Sequence, residues 1–397
     1  MFGGKGGASQ IGNLSFAHQF RFPCLNWLNF RLQHGKFSAL RNAMSLFRQN
    51  LVGLSYPILR PLLFCLDAES AHHFTLAGMR LGAKLGLLAG DPVVANPVEV
   101  FGLKFPNRIG LAAGLDKAGD AVDGFAALGF GSVEVGTLTP RPQPGNPAPR
   151  LFRVIPKQGI INRMGFNNPG IVQGMTNVAA RKSRGILGVN IGKNFDTPNE
   201  RATDDYLAGL RAAWPQADYV TVNLSSPNTK GLRDLQEEES CRGLIRALKA
   251  EQEILRQKHQ KHVPVLIKIA PDLESGHLQG LARVFLEEKL EGVIATNTTL
   301  SREHVEGLKY GDERGGLSGA PLTKRATEII AALAKELRGE IPIIGVGGIM
   351  TPADAVEKIQ AGAGLLQIYS GLVYAGPALV TECIEATRNL DLPSVVK

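Results

Sequence analysis

The chain has 397 residues, 44% of them hydrophobic and 20% charged, which suits one large α/β barrel with an appendage or two ordinary domains. The net charge of +8 is concentrated at the N-terminus. Residues 1–66 hold seven basic side chains and no acidic one, whereas the rest holds 37 basic against 36 acidic side chains. A nucleic-acid-binding protein carries its basic surface on the folded body. We therefore expect no nucleic-acid partner, and the basic arm favours an anionic membrane surface or a targeting peptide.

Cysteines and long apolar runs narrow the class of protein further. Four cysteines, Cys24, Cys65, Cys241 and Cys383, are scattered singly, with no CxxC pair and no histidine at ligand spacing. They are typical of free thiols in a reducing compartment, and we expect no metal site. No run reaches the roughly 18 consecutive apolar residues of a transmembrane helix. The sequence therefore does not predict a protein that spans a bilayer.

The N-terminal 50 residues show weak periodicity and begin with Gly-rich sequence. We interpret residues 1–50 as a disordered, targeting or over-called extension, with Met44 as an alternative start. A bacterial gene with a misassigned start and a mitochondrial presequence are both consistent with these residues. After them we predict a helical segment over residues 51–95 and one catalytic domain over residues 96–397.

Two apolar helical patterns lie within residues 55–90. The first opens with Tyr56–Phe64, and the second starts after Asp67, with Ser70 as a possible cap. The second pattern places five apolar residues at helical spacing: Phe74, Ala77, Leu81, Leu85 and Leu88. Its opposite face is also apolar, so this helix needs two apolar neighbours. Either it packs wholly under the main domain, or one face meets lipid or a lipid-like ligand.

From residue 107 onward, an apolar β-branched run, a polar or Gly-rich turn and a helical pattern recur eight times. The predicted strands are Ile109–Leu115, Ser132–Thr137, Leu187–Ile191, Tyr219–Ser225, Pro264–Ala270, Gly292–Thr298, Pro342–Gly347 and Leu365–Ser370. Helical patterns between them include Tyr206–Ala213, Leu244–Leu255, Leu278–Phe285 and Ala326–Leu337. Eight such units predict a (β/α)8 TIM barrel. A doubly wound open sheet is the alternative, but the Gly-rich fingerprint of its first helix is missing.

Function in such a barrel resides at the carboxyl ends of the strands. The most informative end is Val222–Thr229, where Ser226 stands between Asn223 and Asn228 with no acid, histidine or cysteine in the segment. The amides can hold a planar ligand rich in oxygen atoms, and the hydroxyl can face a carbon-bound proton. Because an unaided serine is a poor base, such chemistry needs geometry and a cofactor.

A buried lysine and a set of glycines indicate which cofactor this is. Lys268 lies within a predicted buried strand, where it could pair with a carboxylate or extend to solvent. Near the top of a barrel, however, an inward lysine more often faces a ligand anion or an electron-rich ring. Glycines cluster at Gly315–Gly319, Gly345–Ile349 and Tyr369–Gly371, which is typical of a phosphate site after strands seven and eight. Together these features suit flavin mononucleotide (FMN).

Five blocks of the chain resemble motifs of the dihydroorotate dehydrogenase family: Ala113–Lys117, Asn162–Asn167, Asn223–Thr229, Ala295–Thr298 and Gly345–Ile349. The resemblance runs from about residue 53 to 385. The serine in the third block and the apolar helix pair resemble the membrane-associated, quinone-reducing class 2, since soluble classes carry cysteine there and lack the helices. The resemblance implies oxidation of (S)-dihydroorotate to orotate in de novo pyrimidine (UMP) biosynthesis, with bound FMN and a quinone as electron acceptor.

The resemblance also implies a role for individual residues. FMN would be bound by Ala113, Gly114, Leu115, Asp116, Lys117, Thr137, Asn190, Asn223, Lys268, Thr296, Gly319, Gly348, Tyr369 and Ser370. Dihydroorotate would be held by Lys117, Asn162, Arg163, Met164, Gly165, Phe166, Asn223, Asn228, Asn297 and Thr298. Ser226 would be the base that removes a proton from C5 while hydride leaves C6. A ubiquinone-type quinone would contact His72, Arg153 and Tyr369, although a lone helical histidine beside His73 is more often a surface residue.

The sequence also indicates where the protein is located. Asp196-Thr197-Pro198 after Asn190–Lys193 resembles the bacterial members, and residues 1–50 lack the apolar span of mitochondrial ones. We predict a monomer bound peripherally to the cytoplasmic side of a bacterial inner membrane, with the mitochondrial inner membrane as alternative.

Two other functions were considered for such a barrel. A tRNA-uridine reductase would need a cysteine acid near the flavin and a basic body. A non-catalytic phosphate-binding barrel would leave Ser226 and its asparagines without a purpose.

Overall fold

The computed structural model describes residues 55–88, 93 and 95–391. The strands are β1 (Val98–Val100), β2 (Leu103–Phe105), β3 (Ile109–Leu111), β4 (Ser132–Leu138), β5 (Leu151–Val154), β6 (Gly159–Asn162), β7 (Ile186–Ile191), β8 (Tyr219–Asn223), β9 (Val265–Ile269), β10 (Gly292–Ala295), β11 (Gly316–Gly319), β12 (Ile343–Val346) and β13 (Leu365–Ile368). The helices are α1 (residues 55–65), α2 (Ala68–Lys84), α3 (Val122–Ala126), α4 (Ile171–Ala179), α5 (Ala202–Ala213), α6 (Glu238–His259), α7 (Ser275–Glu287), α8 (Thr323–Leu337), α9 (Pro352–Gln360), α10 (Ser370–Tyr374) and α11 (Ala378–Thr387).

Eight parallel strands close into a barrel in the order β10-β12-β13-β3-β4-β7-β8-β9. Each of the eight predicted strands overlaps one of them, so the (β/α)8 prediction is confirmed and the open-sheet alternative is wrong. The strands are buried along nearly their whole length, because one face fills the barrel interior and the other packs against helices. Continuous apolar runs rather than alternating ones are the sequence signature of such strands.

A three-stranded antiparallel sheet, in the order β11-β6-β5, is an addition that the sequence pattern did not indicate. Phe152 pairs with Ile161 in β5 and β6, and Ser318 pairs with Ile160 in β11 and β6. The sequence analysis assigned no strand to the region of β5 and β6, and it described Gly315–Gly319 only as a glycine cluster. The sheet instead joins the loop after β4 to the loop before α8.

The N-terminal helices pack against the barrel by one side only. Asp67 caps α2, since its carboxylate accepts the backbone N–H groups of Glu69 and Ser70 at 3.1 and 2.9 Å. The expectation that Ser70 is the cap is therefore wrong. Helix α1 is held to the barrel by the Tyr56 hydroxyl, which donates to the Val373 carbonyl at 2.6 Å. Ala71, Leu76 and Met79 of α2 are buried.

The predicted helix pair is thus present in the described part of the chain. No helix there combines the length and apolarity needed to cross a membrane. Met44 and the proposed extension over residues 1–50 lie outside the described residues.

Candidate active site

A polar cavity lies at the carboxyl ends of the barrel strands and contains about 970 Å³ of empty space. Most of the predicted FMN and dihydroorotate residues line it: Ala113, Gly114, Lys117, Thr137, Asn162, Met164, Gly165, Phe166, Asn223, Ser226, Asn228, Lys268, Thr296, Asn297, Thr298, Gly348, Tyr369 and Ser370. These residues come from nearly every strand end, as expected for the functional face of a TIM barrel.

Five predicted residues do not line this cavity: Leu115, Asp116, Arg163, Asn190 and Gly319. Leu115 faces a second, apolar pocket. The buried Asp116 carboxylate accepts backbone N–H groups of the following turn, and burial raises its pKa to about 6. The Arg163 guanidinium forms an ion pair with Glu313 at 2.7 Å. Leu115 therefore belongs to the second pocket. Asp116 and Arg163 stabilise the structure around the polar cavity but do not form its surface.

A chain of amides fixes the strand ends around Asn223. The Asn223 side-chain NH2 donates to Thr137 Oγ1 at 3.0 Å and to Asn190 Oδ1 at 3.3 Å. Asn297 Nδ2 donates to Asn223 Oδ1 at 3.2 Å and to Ser225 Oγ at 3.0 Å. Asn190 therefore acts from beneath the cavity, as a partner that orients Asn223 and Thr137.

Ser226 is 6% exposed and lies at the cavity surface. Its hydroxyl accepts the backbone N–H of Asn228 at 3.3 Å, and in the described residues it has no carboxylate or imidazole partner. Asn228 in turn donates from Nδ2 to Asn162 Oδ1 at 3.2 Å. The Ser226 hydroxyl and both amides thus converge on one part of the cavity, although Asn162 is 66 residues from Asn228 in the sequence.

Among the side chains of the cavity, Lys268 indicates most directly what kind of ligand the cavity holds. It is 5% exposed, and its ammonium group has no hydrogen-bond partner among the described residues. Burial lowers its pKa, while the nearby carboxylate of Glu134 opposes that effect. A buried cation without a partner is costly unless a ligand supplies the missing charge or acceptor. The cavity is therefore built for an electron-rich or anionic group beside Lys268.

A second lysine, Lys117, lies at the other side of the cavity. Its ammonium group donates to the Gly114 carbonyl at 2.8 Å. Burial lowers the pKa of Lys117 to about 8, and the carboxylate of Glu69 opposes this shift. Near neutral pH this lysine is therefore a cation available to an anionic substrate.

Backbone rather than side chain forms the wall after β12. Gly348 has φ of 69°, and a Cβ added there would lie 2.3 Å from Thr323 Oγ1. Thr323 begins α8, and its hydroxyl donates to the Gly348 carbonyl at 2.7 Å. Opposite, the hydroxyls of Ser318 and Ser370 lie 2.8 Å apart. Small residues beside a helix N-terminus are suited to a phosphate group.

An apolar pocket with about 1360 Å³ of empty space adjoins the polar cavity. His72, Arg153 and Tyr369, the three predicted quinone residues, all line it. Tyr369 lines both pockets, so the two spaces meet at this side chain. The Arg153 guanidinium lies 4.6 Å from the Phe64 ring centre and donates to the Leu63 carbonyl at 3.2 Å. Burial lowers the pKa of His72 to about 3, so its imidazole is neutral.

The residue-by-residue predictions did not name seven cavity residues: Ala112, Ser318, Leu322, Val346, Gly347, Ile349 and Gln367. Four of them, Ser318, Val346, Gly347 and Ile349, lie within the predicted glycine clusters. Gln367 had a usable signal, because it is a polar residue inside the apolar run Leu365–Ile368. Its Nε2 donates to the buried Glu134 carboxylate at 2.7 Å, and its Oε1 has no hydrogen-bond partner in residues 55–88, 93 and 95–391. The apolar residues carry no such signal, since they are indistinguishable from core positions.

Comparison with known proteins decides the family. A family model described as dihydroorotate dehydrogenase matches residues 96–390. The chain belongs to the dihydroorotate dehydrogenase family. A relative in Akkermansia muciniphila named dihydroorotate dehydrogenase (quinone) is 58% identical over 337 residues, covering 84% of this chain and 97% of the relative. One in Azoarcus sp. strain BH72, with the same name, is 55% identical over 334 residues, covering 84% and 98%.

Solved structures agree with this family. Crystal structures of dihydroorotate dehydrogenase from Eimeria tenella, one with ferulenol and one without ligand, both have a TM-score of 0.73 and 39% identity. Each covers 81% of this chain, and 90% and 94% of the respective solved chain. The curated relatives assign the chain to the quinone-dependent class 2, as the sequence motifs predicted. The tRNA-uridine reductase and the non-catalytic barrel are therefore wrong as alternatives.

Proposed function

We propose that this chain oxidises (S)-dihydroorotate to orotate with bound FMN and delivers the electrons to a ubiquinone-type quinone, as a step of de novo pyrimidine biosynthesis. The observation that carries the proposal is the unpartnered, buried Lys268 in a cavity that also presents Ser226 and meets an apolar pocket at Tyr369. A polar cavity for a redox cofactor and its substrate thus adjoins an apolar pocket suited to a lipid-soluble acceptor.

The residues present fit FMN. Lys268 would supply a positive charge to the electron-rich ring, and Asn223 and Thr296 would contact its polar edge. Backbone at Gly348, beside the start of α8, would receive the phosphate, where a larger side chain would collide with Thr323. When bound, FMN supplies the acceptor for the hydride from C6 of dihydroorotate and the relay of two electrons to the quinone.

The chain itself would hold the substrate and move one proton. Lys117 and the amides of Asn162, Asn228 and Asn297 would bind the substrate carboxylate and carbonyl oxygens and stabilise the negative charge that develops on them. Thr298 Oγ1 is buried and has no hydrogen-bond partner among the described residues, so it too is available to the substrate. The Ser226 hydroxyl oxygen would take the proton from C5 and release its own O–H proton to water as the ring becomes unsaturated.

The apolar pocket would take the quinone head group. Its wall is almost entirely hydrophobic, while Arg153 and the neutral His72 offer polar contacts to quinone oxygens. Tyr369 lines both pockets and would therefore lie between FMN and the quinone.

Peripheral membrane binding follows from the surface of α1 and α2. In the described residues, eight of the fourteen exposed large hydrophobic side chains fall within residues 55–88. Such a concentration is typical of a helix pair lying in the interface of a bilayer. We propose a monomer on the cytoplasmic side of a bacterial inner membrane, with the mitochondrial inner membrane as the alternative.

Cofactor content and anaerobic reduction test the function directly. The purified full chain should be yellow, contain one FMN per chain, and lose its flavin absorbance when dihydroorotate is added without oxygen. Lys268→Met should lower FMN content, because it leaves the cavity without its buried cation. A colourless wild-type protein that takes up no FMN, or a flavin that dihydroorotate does not reduce, would sink the proposal.

A further inference from the structure

An ion pair joins the quinone-side helix α2 to the loop before β5. Arg150 donates from Nε and Nη2 to Glu69 Oε1 at 3.0 and 2.7 Å. The two side chains are 15% and 17% exposed. Because two nitrogen atoms of Arg150 contact the carboxylate and both groups are largely buried, this ion pair has a defined geometry. Exposed surface ion pairs, by contrast, contribute little to stability.

The same arginine also holds a turn of the barrel loop. Arg150 Nη1 donates to the carbonyls of Pro144 and Asn146, both at 2.7 Å. Asn146 in turn donates its backbone N–H to the Met164 carbonyl at 3.1 Å and its Nδ2 to the Arg163 carbonyl at 2.9 Å. Glu69 therefore connects, through one guanidinium and one turn, to the segment Asn162–Phe166 that lines the polar cavity.

Glu69 also acts on the substrate side by charge. Among nearby charges, the Glu69 carboxylate has the largest effect on the pKa of Lys117, which it raises against the effect of burial. The Arg150 guanidinium lowers this pKa, and the Asp116 carboxylate raises it. His72, on the next turn of α2, faces the same ammonium group and is itself neutral. Removing the Glu69 charge would therefore leave Lys117 with a lower pKa than its present value of about 8.

We propose that Glu69 is a positioning residue that couples the two pockets, fixing the Asn162–Phe166 segment through Arg150 and keeping Lys117 charged, so that the placement of α2 governs substrate affinity. The inference rests on the proposed function, because it assigns dihydroorotate and orotate to the polar cavity. By thermodynamic linkage, a quinone-pocket ligand that moves α2 changes orotate affinity, and orotate changes affinity for that ligand by the same factor.

The chain offers a matched control on the same helix. Arg80 of α2 donates to Asp120 of the barrel at 2.9 Å, and this pair is 43% and 31% exposed. It also ties α2 to the barrel but has no connection to the Asn162–Phe166 segment. Arg80→Gln therefore removes a contact between α2 and the barrel while leaving Glu69 and Arg150 in place.

The experiment measures orotate affinity of the FMN-loaded full chain, from the change in flavin absorbance, across pH 6 to about 9. We expect Glu69→Gln to weaken orotate binding about tenfold relative to wild type. Binding to wild type should fall as pH rises through about 8, with Lys117 losing its proton, and the fall should come at lower pH in Glu69→Gln. Arg80→Gln should match wild type in both respects.

A shorter acid separates the two effects and guards against misfolding. Glu69→Asp keeps the charge near Lys117 but cannot make both contacts to Arg150, so affinity should fall while the pH midpoint stays. If Glu69→Gln does not retain FMN, the orotate affinity of Glu69→Asp is compared with that of Arg80→Gln instead. If every Glu69 variant that retains FMN binds orotate like Arg80→Gln, the inference is overturned while the proposed function stands. If wild type itself holds FMN but binds no orotate, the proposed function fails first.

Discussion

The site presents positioned amides and cations rather than an acid–base pair. Within the part of the chain that the structure describes, the Ser226 hydroxyl has only the Asn228 N–H as a partner. Asn223 is held by the side chains of Thr137, Asn190 and Asn297. This arrangement was predictable in part, because Val222–Thr229 carries both asparagines and the serine in one run. The contact of Asn228 with Asn162 was not predictable, since the two are 66 residues apart.

Removing the serine hydroxyl tests its role as base. Ser226→Ala should slow anaerobic flavin reduction by dihydroorotate by roughly 10²- to 10⁴-fold, the usual contribution of a positioned base, with FMN content unchanged. Ser240→Ala, at an exposed position on α6, is the control and should react like wild type. Rapid-mixing absorbance measures both. A Ser226→Ala protein that is reduced at the wild-type rate would remove Ser226 from the mechanism.

The neutral His72 predicts a pH-dependent loss of stability. Burial holds its pKa at about 3, against 6.5 for a free imidazole. Between these values the unfolded chain binds a proton that the folded chain does not, so stability rises with pH through this window and falls on acidification. His72→Leu should therefore lose less stability than wild type between pH 7 and about 4.5. Thermal unfolding checks this, with His259→Leu as control; equal losses in all three would contradict it.

At the scale of elements, the barrel was predictable and the small sheet was not. Barrel strands buried on both faces leave long β-branched runs, and all eight were found. Strands β5 and β6 have four residues each, and their connection places Gln158 at φ of 46°, where glycine or asparagine would have signalled a turn. The cap of α2 was misplaced by three residues because Asp67 and Ser70 are both good capping types.

The exposed apolar side chains of α1 and α2 predict binding to lipid. Ile58 is 77% and Leu62 65% exposed, one turn apart on α1. The double variant Ile58→Glu, Leu62→Glu should bind anionic vesicles far more weakly, because two carboxylates would enter the interface. Ile254→Glu is a matched control, since Ile254 is 60% exposed on α6. Vesicle sedimentation of FMN-loaded protein measures binding. If both variants sediment equally, the helix pair is not the membrane surface.

The whole molecule is organised as two pockets that meet at one side chain. The polar cavity comes from the barrel, the apolar pocket is closed by α1 and α2, and Tyr369 lines both. The sequence predicted each set of residues separately. The resemblance implied a shared residue, since it placed Tyr369 in both sets. The residue pattern alone could not predict how the spaces adjoin, because that depends on how the helix pair packs against the barrel.

Deleting the helix pair should separate the two half-reactions. A chain lacking residues 1–90 removes one wall of the apolar pocket but no residue of the polar cavity. We expect it to retain flavin reduction at saturating dihydroorotate, with weaker substrate binding because Glu69 is lost, and to lose reoxidation by quinone. Stopped-flow absorbance follows each half-reaction. Quinone reoxidation at the full-length rate would place the acceptor site elsewhere.

The most direct test of the central claim is an acceptor screen with the full-length, FMN-loaded chain and dihydroorotate as donor. A short-chain ubiquinone, fumarate and NAD are compared as oxidants under anaerobic conditions, with orotate formation measured by absorbance. We expect sustained turnover with the quinone and almost none with fumarate or NAD. Turnover with fumarate or NAD as fast as with the quinone would contradict the assignment of the apolar pocket to a quinone.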